Sequence, residues 1–243
     1  MDQVTFEKRT GLTEADMMAL DMVPVFSGLG ENVLVDLLSD SSVRHYPRDT
    51  MLFLQGDEAD RFFVVFDGWV KLFRQTPDGH ESVVHVCGPK DSFAEAAIFD
   101  SHDFPVSAEV VEDARLLVIP AKRFIAQLHE SMDICLTMIG ALSRHNRFLV
   151  KNIEQMAVKS SAERLALFLD GLCGKHCNGI CDSCEINLPL DKGLIAGRLN
   201  MQPETLSRSF VKLKNLGVET KGSRVLVENM ERLRTFANGQ GGD

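Results

Sequence analysis

Apolar and polar positions along the chain change their rhythm twice. Between Ser42 and about Val118 they form short β-rich runs, at 51–54, 61–66, 69–75, 81–86, 106–111 and 114–119. Gln55-Gly56-Asp57, Asp67-Gly68, Pro77-Asp78-Gly79 and Gly88-Pro89 lie between the runs and supply positive or preset φ angles where the chain must reverse. Strands this short at this spacing predict a β-sandwich or jelly roll. Ahead of them, residues 1–20 read as a short amphipathic lead-in, and a helical patch runs from about Val23 to Asp40.

After Pro120 the period becomes helical. Residues 121–130 make one short helix, Ser131-Met132-Asp133 starts a long one, and a third covers 161–172. A cysteine-rich loop follows. The block from Leu188 to Phe236 reads strand, helix, turn, helix, then a β-hairpin around Gly222-Ser223. The pattern predicts an α+β chain in three parts: a jelly-roll domain over 1–120, helices over 121–159, and a small α/β domain over 160–243 that includes the cysteine loop.

Along the long helix, Cys135, Ile139, Leu142, Asn146, Leu149, Ile153 and Met156 recur at alternating spacings of four and three. That is a coiled-coil seam about three heptads long, with Asn146 as a polar residue able to fix register. The stripe packs either against a second copy or against the chain's own β-domain; a heptad period suits a partner helix. A homodimer joined by Ile139, Leu142, Asn146, Leu149, Ile153 and Met156 is therefore the expectation.

The remaining chemistry narrows the class. With 243 residues, 44% hydrophobic and 25% charged, the chain is long enough for one large or two small globular domains. No apolar run approaches the roughly 18 residues of a membrane span, and residues 1–10 lack a signal-peptide core. A cytoplasmic location is expected, where the six cysteines read as thiols or metal ligands. The net charge of −9 argues at first against nucleic acid. Its distribution reverses that, because 191–224 holds seven basic and three acidic residues while 1–159 holds 15 and 25.

That basic stretch contains DKGLIAGRLNMQPETLSRSFVKLKNLGV, residues 191–218. Leu194, Ile195 and Leu199 give one apolar face, Asn200-Met201-Gln202 a tight turn, and Pro203 a helix start where its missing N–H costs nothing. Leu206, Phe210 and Leu213 form the buried face of the second helix and leave Glu204, Ser207, Arg208 and Lys212 outside. This is the arrangement of a helix-turn-helix on double-stranded DNA. Arg pairs bidentately with guanine, Glu accepts from cytosine and Ser bonds to either. Lys212 and Lys214 are placed for phosphates. An ordinary two-helix hairpin with solvated charges is the alternative.

Pro203-Glu204-Thr205-Leu206-Ser207-Arg208 resembles the recognition-helix signature of the fumarate-nitrate-regulator branch of the cyclic-AMP-receptor/fumarate-nitrate-regulator (CRP/FNR) superfamily. Gly56-Asp57-Glu58-Ala59-Asp60, the following FFVVFDGWVKL up to and past Gly68, and the long helix resemble that superfamily's effector β-roll and dimerisation helix, in the same order. The resemblance implies a double-stranded β-helix effector domain, a dimerisation helix and a winged helix-turn-helix. It also implies a homodimer on a TTGAT-N4-ATCAA-like palindrome and RNA polymerase as partner. Arg208 would read the guanine, Ser207 a thymine and Glu204 the opposite strand, with Pro203, Thr205 and Lys212 beside them.

Members that bind cyclic AMP hold its phosphate with an arginine soon after a Gly-Glu pair. Here Ala94-Glu95 is followed by no arginine between Asp91 and Asp113, so cyclic AMP is not the expected effector. Phe93-Ala94-Glu95-Ala96 most resembles the nitric-oxide-responsive dissimilatory-nitrate-respiration branch, which implies haem. Of His45, His80, His85, His102, His129 and His145, the apolar-strand His85 and the helical His145 are the candidate ligands.

Cys173, Cys177, Cys181 and Cys184 fall within 12 residues, among turn-forming glycines. Four thiolates suit zinc or an iron–sulfur cluster; a thiol switch is the other reading, and His176 is an alternative ligand. Cys87 and Cys135 read as small buried hydrophobes. A metal- or redox-dependent enzyme with a cupin-like barrel and this cysteine loop is the competing function. The histidines lack a cupin metal spacing, and no catalytic set stands out, so no enzyme is expected.

Overall fold

The computed structural model describes residues 3–75, 81–100, 103–176 and 181–239; for 3, 4, 148, 151–158, 175 and 176 it describes the backbone. The turn 77–79, His80, His102 and Cys177 lie outside the described residues, as do the side chains of Ile153, Met156 and His176. The chain forms two compact units, Met1–Leu149 and Val150–Asp243.

The first unit begins with α1 (Gln3–Thr10), α2 (Glu14–Leu20) and α3 (Glu31–Leu37), and continues with β1 (Ser42–Tyr46), β2 (Met51–Phe53), β3 (Arg61–Gln75), β4 (Glu81–Cys87), β5 (Ser92–Phe93), α4 (Glu95–Phe99) and β6 (Ser107–Pro120). It ends with α5 (Ala121–Glu130) and most of α6 (Met132–Val158). The helical patch expected from Val23 to Asp40 is shorter than its pattern suggests. Only Glu31–Leu37 is helical, because 21–28 forms turns that end at Gly28, with φ at +82°, and α3 starts after Gly30.

The runs 61–66 and 69–75 are one strand, and so are 106–111 and 114–119. Asp67-Gly68 is a bulge, not a reversal: the β3–β6 register shifts on both sides of Asp67. Gly68 has φ at +79°, and a Cβ there would lie 2.3 Å from the Asp113 carbonyl oxygen, so only glycine fits. β3 and β6 pair antiparallel from Arg61↔Pro120 to Phe73↔Ser107. Their two ends serve two layers. β5 and β1 pair beside Phe63–Val64 and Ala114–Val118, whereas β4 and β2 pair beside Val70–Gln75 and Ala108–Glu109. This is the jelly roll.

Its interior is aromatic. Phe53 of β2 stacks on Phe63 of β3 at 5.9 Å, and Phe63 on Phe93 of β5 at 4.9 Å, so the layers meet through their rings. The neighbouring Phe62 points to the opposite face, as strand geometry requires. There it meets Phe124 of α5 at 4.9 Å and Phe26 at 6.3 Å. Because helices cover one face of β3 and the second layer covers the other, Phe62–Val65 is fully buried as a continuous apolar run.

The lead-in is tied down by two ion pairs, Arg9 to Asp40 and Asp16 to Arg115. Thr13 and Asp16 close a capping box at the start of α2. Asp16 then accepts from Arg115 on β6, with Nη1 to Oδ1 at 2.9 Å and a second bond from Nη2. Burial pushes the Asp16 carboxyl up, but the Arg115 and Thr13 hydrogen bonds outweigh it and hold it below the ordinary carboxylate range.

The second unit contains α7 (Ser161–His176), β7 (Cys184–Asn187), α8 (Lys192–Arg198), α9 (Pro203–Lys214), β8 (Val218–Lys221), β9 (Arg224–Val227) and α10 (Met230–Ala237). The strands order β7-β9-β8 as a small antiparallel wing. Among the described residues no helix is long and apolar enough to cross a membrane.

A depressed Asp16 carboxyl stabilises the fold above about pH 4 and loses that effect as the pH falls through its lower folded value. Asp16→Asn should cost about 2 kcal/mol at pH 7. Urea titrations at several pH values should show the gap from the parent protein closing below about pH 4.

Candidate nucleic-acid interface

α8, its turn and α9 form a helix-turn-helix. Asp191 caps α8, its carboxylate accepting from the Leu194 N–H at 2.8 Å. Ile195 and Ala196 are buried beneath, with Leu194 and Leu199 half-buried. Asn200, with φ at +50°, makes the left-handed step that ends α8, and Pro203 opens α9. Leu206, Ser209, Phe210 and Leu213 face inward, and α9 packs on α7 and β8.

The opposite side of α9 is open. Pro203, Glu204, Ser207, Arg208, Lys212 and Lys214 are exposed, and Thr205 is half-buried. The Ser207 hydroxyl donates to the Pro203 carbonyl at 3.0 Å, which leaves its lone pairs outward. An acid, a hydroxyl and a guanidinium thus share the N-terminal turns of a helix docked by its other face, the geometry that base-edge contact needs. Sequence reasoning did not single out Val211, which also lies outside at 62% exposure on this helix.

On α6, Met138 and Ala141 are buried while Ile139 is 59% exposed, Leu142 45% and Leu149 43%, with Asn146 exposed among them. The heptad stripe from Ile139 to Leu149 is therefore largely open to solvent. Cys135, one turn earlier, is turned in, its thiol donating to the Leu128 carbonyl at 3.2 Å.

The first unit also holds a cavity of about 660 Å³. Met22, Phe99, Leu128, Met138, Ile139 and Leu142 give it apolar walls, and both His85 of β4 and His145 of α6 line it. Lys90, Ser92 and Glu95 supply its polar corner. Glu95 accepts from the Ser92 hydroxyl through Oε1 at 3.1 Å, and its buried Oε2 has no hydrogen-bond partner among the described residues. Lys90 and Ala94 hold left-handed φ angles of +77° and +70°. His45 and His129 do not line this cavity.

The expected cysteine loop is regular structure at its two ends. α7 continues past 172 to His176, so buried Cys173 is helical, and buried Cys184 begins β7; Cys181 is half-buried between them. Packing of α7 against α9 and α10 carries the helix through Gly174 in spite of glycine's poor propensity, where the glycines had suggested a loop. Arg234 of α10 donates from Nε to Asp170 at 2.8 Å, which pushes its guanidinium above the ordinary value. Among the described residues no group of three His, Cys, Asp or Glu is arranged to hold a metal ion; Cys177 lies outside them.

Two family models match this chain: a cyclic nucleotide-binding domain over residues 43–131 and a Crp-like helix-turn-helix domain over 163–236. The crystal structure of a candidate cyclic nucleotide binding protein from Ruegeria pomeroyi is 40% identical, with a TM-score of 0.79 over 92% of this chain and 97% of that one. That of DNR from Pseudomonas aeruginosa is 27% identical, with a TM-score of 0.58 over 93% and 99%. The transcriptional activator protein Anr of Pseudomonas aeruginosa is 25% identical over 198 residues, 81% of each chain.

The two faces of α9 make opposite demands. Leu206→Ala should destabilise the second unit by about 2–5 kcal/mol, since Leu206 is wholly buried. Arg208→Ala should stay within about 0.5 kcal/mol of the parent. Urea unfolding of the two variants checks this.

Proposed function

The chain belongs to the CRP/FNR superfamily of DNA-binding transcription regulators, and from that premise we propose that it acts as a homodimer whose paired α9 helices read a TTGAT-N4-ATCAA-like palindrome under control of an effector in the β-roll unit. It is a regulator and not an enzyme. One observation carries the DNA reading: α9 buries Leu206, Phe210 and Leu213 and turns Glu204, Ser207 and Arg208 outward. The exposed stripe Ile139, Leu142, Asn146 and Leu149 supports a partner helix from a second copy. RNA polymerase, on the strength of the family alone, is the proposed protein partner of the DNA-bound dimer.

For the effector, haem-based sensing of nitric oxide is the proposal. The cavity lies within the size range of small-ligand sites, and its apolar walls suit a macrocycle. His85 and His145 offer imidazole ligands from two elements, and Lys90 offers a cation to a carboxylate. When bound, haem would supply an iron centre that takes diatomic gases. Cyclic AMP is not proposed, because no arginine lies between Asp91 and Asp113 to pair bidentately with its phosphate, and Lys90 offers only a point charge. A second reading, in which Cys173, Cys177, Cys181 and Cys184 hold zinc or an iron–sulfur cluster, is favoured by their density, four cysteines within 12 residues.

On DNA, the protein should shift a labelled palindrome with two protomers per duplex, and binding should weaken steeply with salt. Arg208→Ala should lose about 1–3 kcal/mol of discrimination at the guanine. Retained preference in that variant sinks the recognition-helix assignment. For the effector, absorption spectra with iron and zinc analysis of protein purified without oxygen separate the readings. A Soret band lost in His85→Ala or His145→Ala supports haem. A broad charge-transfer band lost in Cys184→Ser supports a cluster, and stoichiometric zinc in colourless protein supports a structural site. Colourless, metal-free protein overturns all three.

A further inference from the structure

We propose that Val211 is a further specificity determinant, an apolar contact to the C5-methyl group of a thymine in each half-site. The inference rests on α9 being the recognition helix. Val211 is 62% exposed, more than Leu167 or Leu226 in the same unit. At about 100° per residue, with Glu204 as the origin, Ser207 lies about 60° to one side, Arg208 about 40° to the other, and Val211 about 20° from Glu204. The buried Leu206, Ser209, Phe210 and Leu213 cluster on the far side. Val211 therefore sits in the middle of the presented face.

Two lysines frame it. Lys212 and Lys214 fall about 80° to either side of the same line, where the phosphate walls of a groove would lie. The line between them runs along the base edges, so a side chain at 211 meets bases and not backbone. A solvated helix face is ordinarily polar, and a β-branched residue there is a mediocre helix former. Valine offers a base pair no hydrogen bond. In the major groove of B-DNA the apolar group it can meet is the thymine methyl. Val211 is seven residues beyond Glu204, about 10.5 Å along the helix axis. At about 3.4 Å per base pair, the thymine lies about three steps from the pair that Glu204 addresses.

The test uses the intact protein and the duplex it selects from a randomised pool. Each thymine is replaced, symmetrically in both half-sites, by 2′-deoxyuridine, which removes only the methyl. The parent protein should lose about fourfold in affinity per half-site at one position. Val211→Ser should bind the thymine and uracil duplexes equally while keeping its guanine preference. Val211→Thr, which retains one methyl, should keep part of the difference. Equal binding of both duplexes by the parent at every position, or discrimination that survives in Val211→Ser, overturns the proposal and leaves the recognition helix standing. Failure to select any sequence overturns the recognition helix as well.

Discussion

The first unit depends on the antiparallel pairing of β3 with β6. Both strands are too long to lie flat, and the bulge at Asp67-Gly68 lets them turn while staying paired. Each end then carries its own partners, so four shorter strands need only edge pairing to complete two layers. Close approach of the Asp113 carbonyl to Gly68 locks the bend in place. Because β3 exposes Phe63 to one side and Phe62 to the other, the same strand organises the interior of the roll and the seat for α5. α6 follows directly from α5, and with it comes one wall of the cavity.

That wall has two audiences. Met138 and His145 line the cavity, and Ile139 and Leu142 belong both to its lining and to the exposed heptad stripe. An occupant that shifts these side chains alters the surface offered to a second helix. A partner helix in turn alters the walls available to an occupant. Were both to bind, the two events would be thermodynamically linked through these shared side chains, with no longer chain of contacts required. Charge is divided by position along the chain: the acidic excess lies in 1–159, while α9 and the wing carry Arg208, Lys212, Lys214, Lys221 and Arg224.

What could be read from the sequence followed the range of the signals. Leu206, Phe210 and Leu213 recur at helical spacing, so the inward face of α9 and its polar complement were legible residue by residue. So was the hairpin at Gly222-Ser223, a purely local device. Asp67-Gly68 was misread because a bulge and a reversal demand the same left-handed backbone and so the same residues; the partner strand decides between them. β1 and α10 escaped notice since each is short, and their burial is decided by strands and helices distant in sequence. The cavity was illegible as a whole: Met22, His85, Glu95, Leu128 and Leu142 have no relation along the chain, although two of its histidines were singled out one by one.

Lys90 and Ala94 bracket the polar corner of the cavity with backbone that L-residues avoid. Each such residue raises the energy of the native state by on the order of 1 kcal/mol, and no local preference returns it. The segment is held by β5 pairing and by the Ser92–Glu95 bond on either side, like a bent spring clamped at both ends. A bound molecule that offered a donor to Glu95 Oε2 would satisfy the second oxygen of the carboxylate while the Ser92 bond holds the first. Strained backbone and an unsatisfied carboxylate oxygen thus meet at one corner of the β-roll, where a ligand's donor would be worth most.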